Sequence, residues 1–191
     1  MVNTAAVKRP YLRAADRRRQ LLDGAGRLFD RYGFGGITMA GLAAEARVSR
    51  QLVYTHFADL DALYAAFVED RLARYRAAAP DVASLSRDDA AAALFQHLLT
   101  IPPTDRRVIR LLVADVGIRA LDRIRRHFLA EELARWDALR ASAHGPAVVW
   151  ATTSALLALA DSVEAGDIDS TAANVMAKHL VSAARAAVRE G

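Results

Sequence analysis

Apolar side chains recur three and four positions apart along almost the whole chain, and this spacing is typical of amphipathic helices. No alternating apolar and polar stretch of strand length stands out; alanine is abundant, while glycine and proline are few. The pattern therefore predicts an all-α protein. The expected helices, separated by glycine, proline or capping residues, are 15–32, 38–46, 50–57, 59–79, 87–101, 104–117, 119–143, 146–165 and 170–189.

Residues 38–57, TMAGLAAEARVSRQLVYTHF, predict two short helices that meet at a tight corner. The hydroxyl groups of Thr38 and Ser49 can each accept a hydrogen bond from a backbone N–H that a helix start leaves unsatisfied. Arg47 interrupts the first helical pattern, so the second helix is expected to begin at about Arg50. This arrangement predicts a helix-turn-helix.

The second helix of this pair has a buried face and an exposed face. Val53 and Phe57 are four positions apart and are expected to point into the core together with Val48. The opposite face is suited to the major groove of DNA, where Arg50 and Gln51 in the first turn can read base edges. The other expected DNA contacts are thymine methyl contacts by Leu52 and Thr55, phosphate contacts by Tyr54 and His56, and contacts around the caps and the corner at Thr38, Ser49 and Arg47.

Four segments between residues 17 and 68, LLDGAGRLFDRYGF, GITMAGLAAEA, VSRQLVYTHF and DLDALYAAF, occur in an order and spacing that resemble the TetR (tetracycline-repressor) family of transcriptional regulators. The resemblance implies an N-terminal helix-turn-helix domain, a divergent helical C-terminal domain, and a long fourth helix that passes motion between them. Two residues depart from the family pattern. Arg47 stands where glycine is usual at the corner, and Leu60 replaces the usual lysine at the start of the fourth helix.

The positive charge of the chain is concentrated at one end. The net charge is +4, but residues 1–56 hold ten Lys and Arg against four Asp and Glu, which leaves a net −2 for the rest. Such asymmetry is expected of a protein that meets a polyanion at that end, although a basic tail could also merely aid solubility. We expect a flexible basic arm at 1–14, which could reach into a minor groove or have no role, a helix-turn-helix domain at 15–60, and a regulatory and dimerisation domain at 61–191.

The last two predicted helices, 146–165 and 170–189, are rich in small and apolar residues on more than one face. Helices of this kind need cover on both sides. The simplest cover is the same pair of helices from a second copy, which predicts a homodimer and hence a palindromic operator. The alternative is that both helices are central within a monomeric bundle.

A ligand pocket is expected among the helices between residues 87 and 165, lined by aromatic and aliphatic side chains. The candidates, each of which could equally be ordinary core, are Phe95, Leu99, Leu112, Val116, Phe128 and Trp150. Polar residues among them could orient a ligand or simply face solvent; these are His97, Asp115, Thr153 and Asp161.

No pattern in the sequence indicates catalysis, a cofactor or a metal centre. Cysteine is absent, which excludes disulfides and thiolate ligands and fits the cytoplasm. His127 and Glu131 could ligate a metal, but two residues at that spacing are more often a surface pair. Asp167 and Asp169 are expected to cap the last helix. The longest apolar stretch, AVVWATTSALLALA, is shorter than a membrane-spanning segment, so we expect a soluble protein.

The sequence thus predicts a DNA-binding transcriptional regulator, a homodimeric repressor released from its operator by a small, largely apolar ligand. Two alternatives remain open. One is an architectural or protein-regulated DNA-binding factor without a small-molecule effector. The other is an all-helical enzyme or scaffold with an incidental helical corner, which the lack of catalytic motifs disfavours.

Overall fold

The structure, a computed structural model, describes residues 13–82, 84–114, 117–134 and 142–189. Every regular element within these ranges is helical, so the all-α class predicted from the sequence is confirmed. The chain divides into two compact units, Met1–Leu63 and Tyr64–Gly191. The arm predicted at 1–14 lies almost wholly outside the described residues.

The first unit contains the helix-turn-helix. Its elements are α1 (Ala14–Tyr32), a 3-10 turn (Phe34–Gly36), α2 (Met39–Ala46) and α3 (Arg50–His56). Its core includes side chains from all three helices and from the segment that leads into α2, among them the fully buried Leu21, Ile37, Leu42 and Val53. Gly33, at φ 72°, ends α1 as the glycine run predicted.

Helices α1 and α2 are in close contact and are also joined by charge. A Cβ atom placed on Gly24 of α1 would lie 3.2 Å from Leu42 Cδ1 of α2, so only a very small residue fits there. Glu45 on α2 accepts hydrogen bonds from Arg27 Nε at 2.6 Å and from Arg31 Nη1 at 3.5 Å. The hydrogen bond from Arg27 holds the pKa of Glu45 below its usual value. This contribution to stability is therefore present at neutral pH and is lost as the pH falls through the lowered pKa.

The second unit is a bundle in which one helix is central. This unit contains most of α4 (Leu60–Ala78), whose first residues belong to the first unit. Its other elements are α5 (Arg87–Thr100), α6 (Pro103–Ala114), a 3-10 turn (Arg119–Leu121), α7 (Asp122–Ala134), α8 (Gly145–Ala165) and α9 (Ser170–Arg189). Helix α8 packs against α5, α6, α7 and α9. Most of the predicted boundaries lie within three residues of those observed. The helix predicted at 119–143 instead opens with the 3-10 turn, and its last part lies outside the described residues.

The junction of α5 and α6 depends on one buried arginine. Pro102 has no N–H, so the carbonyl of Leu98, four residues earlier, lacks its normal helical donor. Arg106, which is 4% exposed, supplies it: Nη1 donates to the carbonyls of Leu98 at 3.2 Å and Ile101 at 3.0 Å. The same guanidinium pairs with Asp161 and Glu164 of α8. A single side chain therefore joins three helices.

One helix within the described part of the chain, α8, is long and apolar enough to cross a membrane by length and composition. It has 21 residues, and its most apolar 18-residue window has a mean hydropathy of 1.3. Of that window, 28% is buried. A single helix of this kind is weak evidence for a membrane span, since the core helices of bundles share these properties. Its packing against four other helices identifies it as a bundle helix.

Candidate nucleic-acid interface and ligand cavity

The corner between α2 and α3 is built as the sequence predicts. Thr38 Oγ1 accepts a hydrogen bond from Gly41 N at 2.9 Å and so caps α2. At the other end, Arg47 adopts the left-handed conformation with φ 54° and ψ 49°, at the position where the resemblance implies glycine. A non-glycine residue in that region costs about 1 kcal/mol. The corner thus carries a strained arginine.

Helix α3 is fixed by its cap and by two core side chains. Ser49 Oγ accepts a hydrogen bond from Leu52 N at 3.2 Å. Val53 and Phe57 are buried, at 0% and 2% exposure, whereas Val48 is only half-buried. These contacts fix the rotation of α3 about its axis, and therefore determine which residues it exposes.

The exposed face of α3 carries a mixed set of polar and apolar groups. Arg50, Gln51, Tyr54 and Thr55 are exposed, and Tyr54 retains 53% of its surface. Leu52 and His56 are half-buried. The hydroxyl of Thr55 donates to the carbonyl of Leu52 at 2.7 Å, which directs the polar end of that side chain to the backbone. The candidates from Arg47 to His56 thus occupy the corner and α3, and Thr38 lies at the opposite end of α2.

Arg18 has a role that the sequence analysis missed. It stands between Arg17 and Arg19 in a run of three arginines that the sequence does not distinguish. Its Nη1 donates to the carbonyl of His56 at 3.0 Å, and its guanidinium lies 4.7 Å from the centre of the Phe57 ring. Arg18 therefore caps the C-terminal end of α3 from α1. Only a contact between residues 38 positions apart reveals this, so no local signal could have found it.

A cavity of about 50 Å³ lies inside the second unit. It is mainly apolar, and its walls come from six helices: Tyr75, Leu94, Leu98, Ile109, Phe128, Glu132, Val149, Thr152, Thr153, Leu156 and Ala184. Its volume admits a few water molecules and is well below the roughly 300 Å³ of a small drug-sized site.

Of the five proposed pocket residues that the structure describes, Phe128 borders this cavity and the other four are not among its lining. Phe95 and Leu112 are fully buried and belong to the packed core, and Leu99 is half-buried. Trp150 lies behind the wall, with its ring stacked on that of Phe128 at 6.1 Å. Val116 lies outside the described residues.

The polar candidates have separate positions. Thr153 lines the cavity, Asp161 pairs with Arg106 and Arg110, and Asp115 lies outside the described residues. His97 is 6% exposed, and its Nε2 lies 2.9 Å from the carbonyl oxygen of Tyr75. Because a carbonyl can only accept, Nε2 carries the hydrogen and donates it. His97 thus holds the last turns of α4 rather than facing solvent.

A second concavity, a groove of about 480 Å³ between α4 and α7, is larger but already has paired charges. Arg76 donates to Glu131 through Nε at 2.9 Å and Nη2 at 2.7 Å, and Arg123 lies 3.3 Å from Glu69. His127 and Glu131, the possible metal pair, are 3.3 Å apart. The described residues include no cluster of three potential metal ligands. The pair is therefore part of this surface network.

Comparison with known proteins gives the same assignment from the sequence and from the fold. The family model described as bacterial regulatory proteins, tetR family, matches residues 21–67. The HTH-type transcriptional repressor Rv1474c of Mycobacterium tuberculosis is 42% identical over 65 residues, which cover 34% of this chain and 35% of that protein. This chain therefore matches about a third of the length of that curated relative.

Solved structures extend the likeness beyond the helix-turn-helix. A TetR-like transcriptional regulator from Rhodococcus sp. RHA1 has a TM-score of 0.69 at 24% identity, covering 90% of this chain and 96% of that one. The multidrug binding protein EbrR, solved with ethidium, has a TM-score of 0.59 at 25% identity, covering 86% and 98%. These relatives are regulators and binding proteins rather than enzymes. Residues 21–67 thus carry the N-terminal domain of the tetR family of bacterial regulatory proteins, within a helical fold shared with TetR-like regulators over about nine tenths of the chain.

Proposed function

We propose that this chain is a homodimeric repressor that binds a palindromic operator through α3 and leaves it when a small, largely apolar molecule enters the second unit. The observation that carries the DNA-binding part is the exposed face of α3, which is held by a cap at Ser49 and by two buried side chains. A repressor of this kind acts on the chromosome, so its place is the cytoplasm.

The exposed residues of α3 have distinct roles on DNA. Arg50 and Gln51 lie in the first turn, and both side chains can make paired hydrogen bonds to base edges. Tyr54 and His56 contact phosphates beside the groove. Since the hydroxyl of Thr55 is bonded to the backbone, its methyl group is the part available to a thymine methyl, next to Leu52.

Substitutions on α3 test these roles after selection of an operator from a random duplex library. Arg50→Ala and Gln51→Ala should each cost ~1–3 kcal/mol of discrimination at particular base pairs, because they remove base contacts. Tyr54→Phe should weaken binding to all DNA sequences alike, because it removes a phosphate contact. The measurement is the affinity for the operator and for each single-base variant. An equal loss of affinity on every DNA sequence, in all three variants, would contradict these roles.

The dimer is proposed to form through α8 and α9. Helix α8 exposes small residues on one face, at Ala147, Ala151, Ser154 and Ala158. Helix α9 exposes large apolar residues, Val175 at 51%, Met176 at 48% and Leu180 at 36%. Small residues let helices approach closely, and the apolar stripe would be covered by the same helices of a second copy. A twofold axis between the copies would then place their two α3 helices about 34–36 Å apart, the distance between successive major grooves on one side of the duplex.

The ligand is proposed to enter the cavity of the second unit. The cavity is too small for a drug-sized molecule as it stands, so binding must move its walls. This movement supplies the mechanism: a ligand releases DNA only if it prefers the opened conformation to the one that binds the operator.

The lining of the cavity favours a flat aromatic cation. Tyr75 and Phe128 provide aromatic walls, and Glu132 provides a carboxylate among mostly apolar neighbours. EbrR, which shares the fold, was solved with ethidium and with proflavin, both of which are flat aromatic cations. A ligand of this class would stack on the rings and place its charge near Glu132.

Ethidium and proflavin are therefore the first probes. Added to the DNA-free protein, each should raise the melting temperature, because a ligand that binds only the folded state stabilises it. Glu132→Gln should weaken that binding about tenfold, through loss of a charge interaction. Glu69→Gln, which alters an exposed carboxylate outside the cavity, is the matched control. Equal affinities in the two variants would exclude Glu132 from the site.

The small cavity volume also favours a second candidate function, a DNA-binding factor controlled by another protein or by none. Its distinguishing result would be an operator-binding dimer whose melting temperature and DNA affinity no small molecule changes.

A further inference from the structure

A concavity of about 270 Å³ opens beside the corner of the helix-turn-helix, between α1 and the turn. It is lined by two arginines, one amide and two small apolar residues: Arg17, Gln20, Ala46, Arg47 and Val48. None of these five residues is acidic. The pocket therefore has the charge and the position expected of a site for an anion.

The three consecutive arginines of α1 differ in what engages them. Arg18 is bound to the carbonyl of His56, and Arg19 lies 3.9 Å from the carboxylate of Asp16. Arg17 donates to the side-chain oxygen of Gln20, which is neutral. That bond holds the guanidinium at the pocket without cancelling its charge.

Arg47 reaches the pocket from the other side, at the corner itself. Its backbone is left-handed, a conformation that glycine would adopt without strain. Backbone strain retained at one residue often marks a functional position. What the chain gains from arginine here is a second cationic side chain in the pocket, one residue from Val48 and two from the cap of α3.

We propose that Arg17 and Arg47 together bind one phosphate of the DNA backbone in this pocket, with Gln20 positioning Arg17. The inference rests on the proposed DNA-binding function and deepens it. The phosphate lies beside the first turn of α3, so its capture fixes the depth and register at which Arg50 and Gln51 meet the bases. Arginine suits this task because its planar fork can donate two hydrogen bonds to a phosphate.

The test uses the full chain and a fluorescent duplex of random sequence, titrated over a series of salt concentrations. Arg17→Ala and Arg47→Ala should each weaken binding about tenfold, the loss of one charge-assisted contact. Each should also lower the slope of log affinity against log salt by about one phosphate contact. The double variant should lose less than the product of the single losses, because both arginines hold the same phosphate.

Two controls separate a phosphate contact from charge and from misfolding. Arg19→Ala removes the same charge two positions away and should change the affinity by less than about twofold, as expected of an exposed, partly neutralised side chain. Arg47→Gly removes the side chain and the strain together, so it should weaken DNA binding while raising the melting temperature.

The outcomes distinguish this proposal from the function on which it rests. Duplex binding by the wild type with equal losses in Arg17→Ala and Arg19→Ala would overturn the phosphate pocket alone. The phosphate pocket would also be overturned if the slope of log affinity against log salt were unchanged in both Arg17→Ala and Arg47→Ala. It would likewise be overturned if the loss of affinity in the double variant equalled the product of the two single losses. A wild-type chain that binds no duplex at low salt would overturn the proposed function itself.

Discussion

Replacing Arg106 with methionine should lower the free energy of unfolding of the second unit by ~2–4 kcal/mol, because it leaves two backbone carbonyls without their buried donor. Methionine preserves much of the apolar stem but donates no hydrogen bonds. The carbonyl of Leu98, which Pro102 already deprives of a helical donor, would lose the donor that Arg106 supplies. The carbonyl of Ile101 and two carboxylates of α8 would lose the same group.

Thermal unfolding measures this effect, and the neighbouring residue provides the control. For a chain of this length, the expected loss corresponds to a melting temperature lower by about 10 °C. Arg107→Met changes an exposed arginine on the same helix and should shift the melting temperature only slightly. Similar shifts for the two variants would show that the buried guanidinium does not hold α5, α6 and α8 together.

Ala158→Glu should convert the proposed dimer into a monomer and weaken operator binding by about 100-fold or more. Ala158 lies in the exposed row of small residues on α8. In a closely packed interface between copies, a glutamate there would clash and leave a carboxylate buried without a partner. Each α3 helix would then bind its half-site alone, without the gain in affinity that comes from a second, linked half-site.

Sedimentation at micromolar concentration and operator titration check this result together. Ala130→Glu is the matched control, since it places the same charge on an exposed alanine of α7. That variant should remain dimeric and bind the operator normally. A dimeric Ala158→Glu protein with full operator affinity would show that another surface joins the two copies.

The sequence predicts the helix-turn-helix well because its determinants are local. Each cap needs only a hydroxyl or carboxylate and a backbone N–H three residues later, as at Thr38, Ser49 and Asp59. The buried face of α3 follows from helical spacing alone, and both Val53 and Phe57 are buried as expected. The left-handed backbone of Arg47 is implied by the resemblance to TetR regulators, which usually have glycine at that corner.

The interior of the second unit could not be predicted in the same way. Bulky side chains such as Phe95 and Leu112 attract notice in the sequence, but bulk is also what fills a core completely. The cavity remains where smaller residues such as Thr152 and Ala184 meet from different helices. That meeting depends on helix packing, as do the contacts of Arg18 and Arg106, and no periodicity in the sequence encodes it.

The bond between His97 and the carbonyl of Tyr75 gives the cavity wall a mechanical property. The ring of Tyr75 borders the cavity, while its main chain is fastened to α5 by the imidazole. A ligand that entered as proposed and displaced the ring would therefore act on a segment of α4 whose main chain is bonded to α5. In the proposed mechanism, the strength of this hydrogen bond would determine how far a displaced Tyr75 ring moves α4 with it.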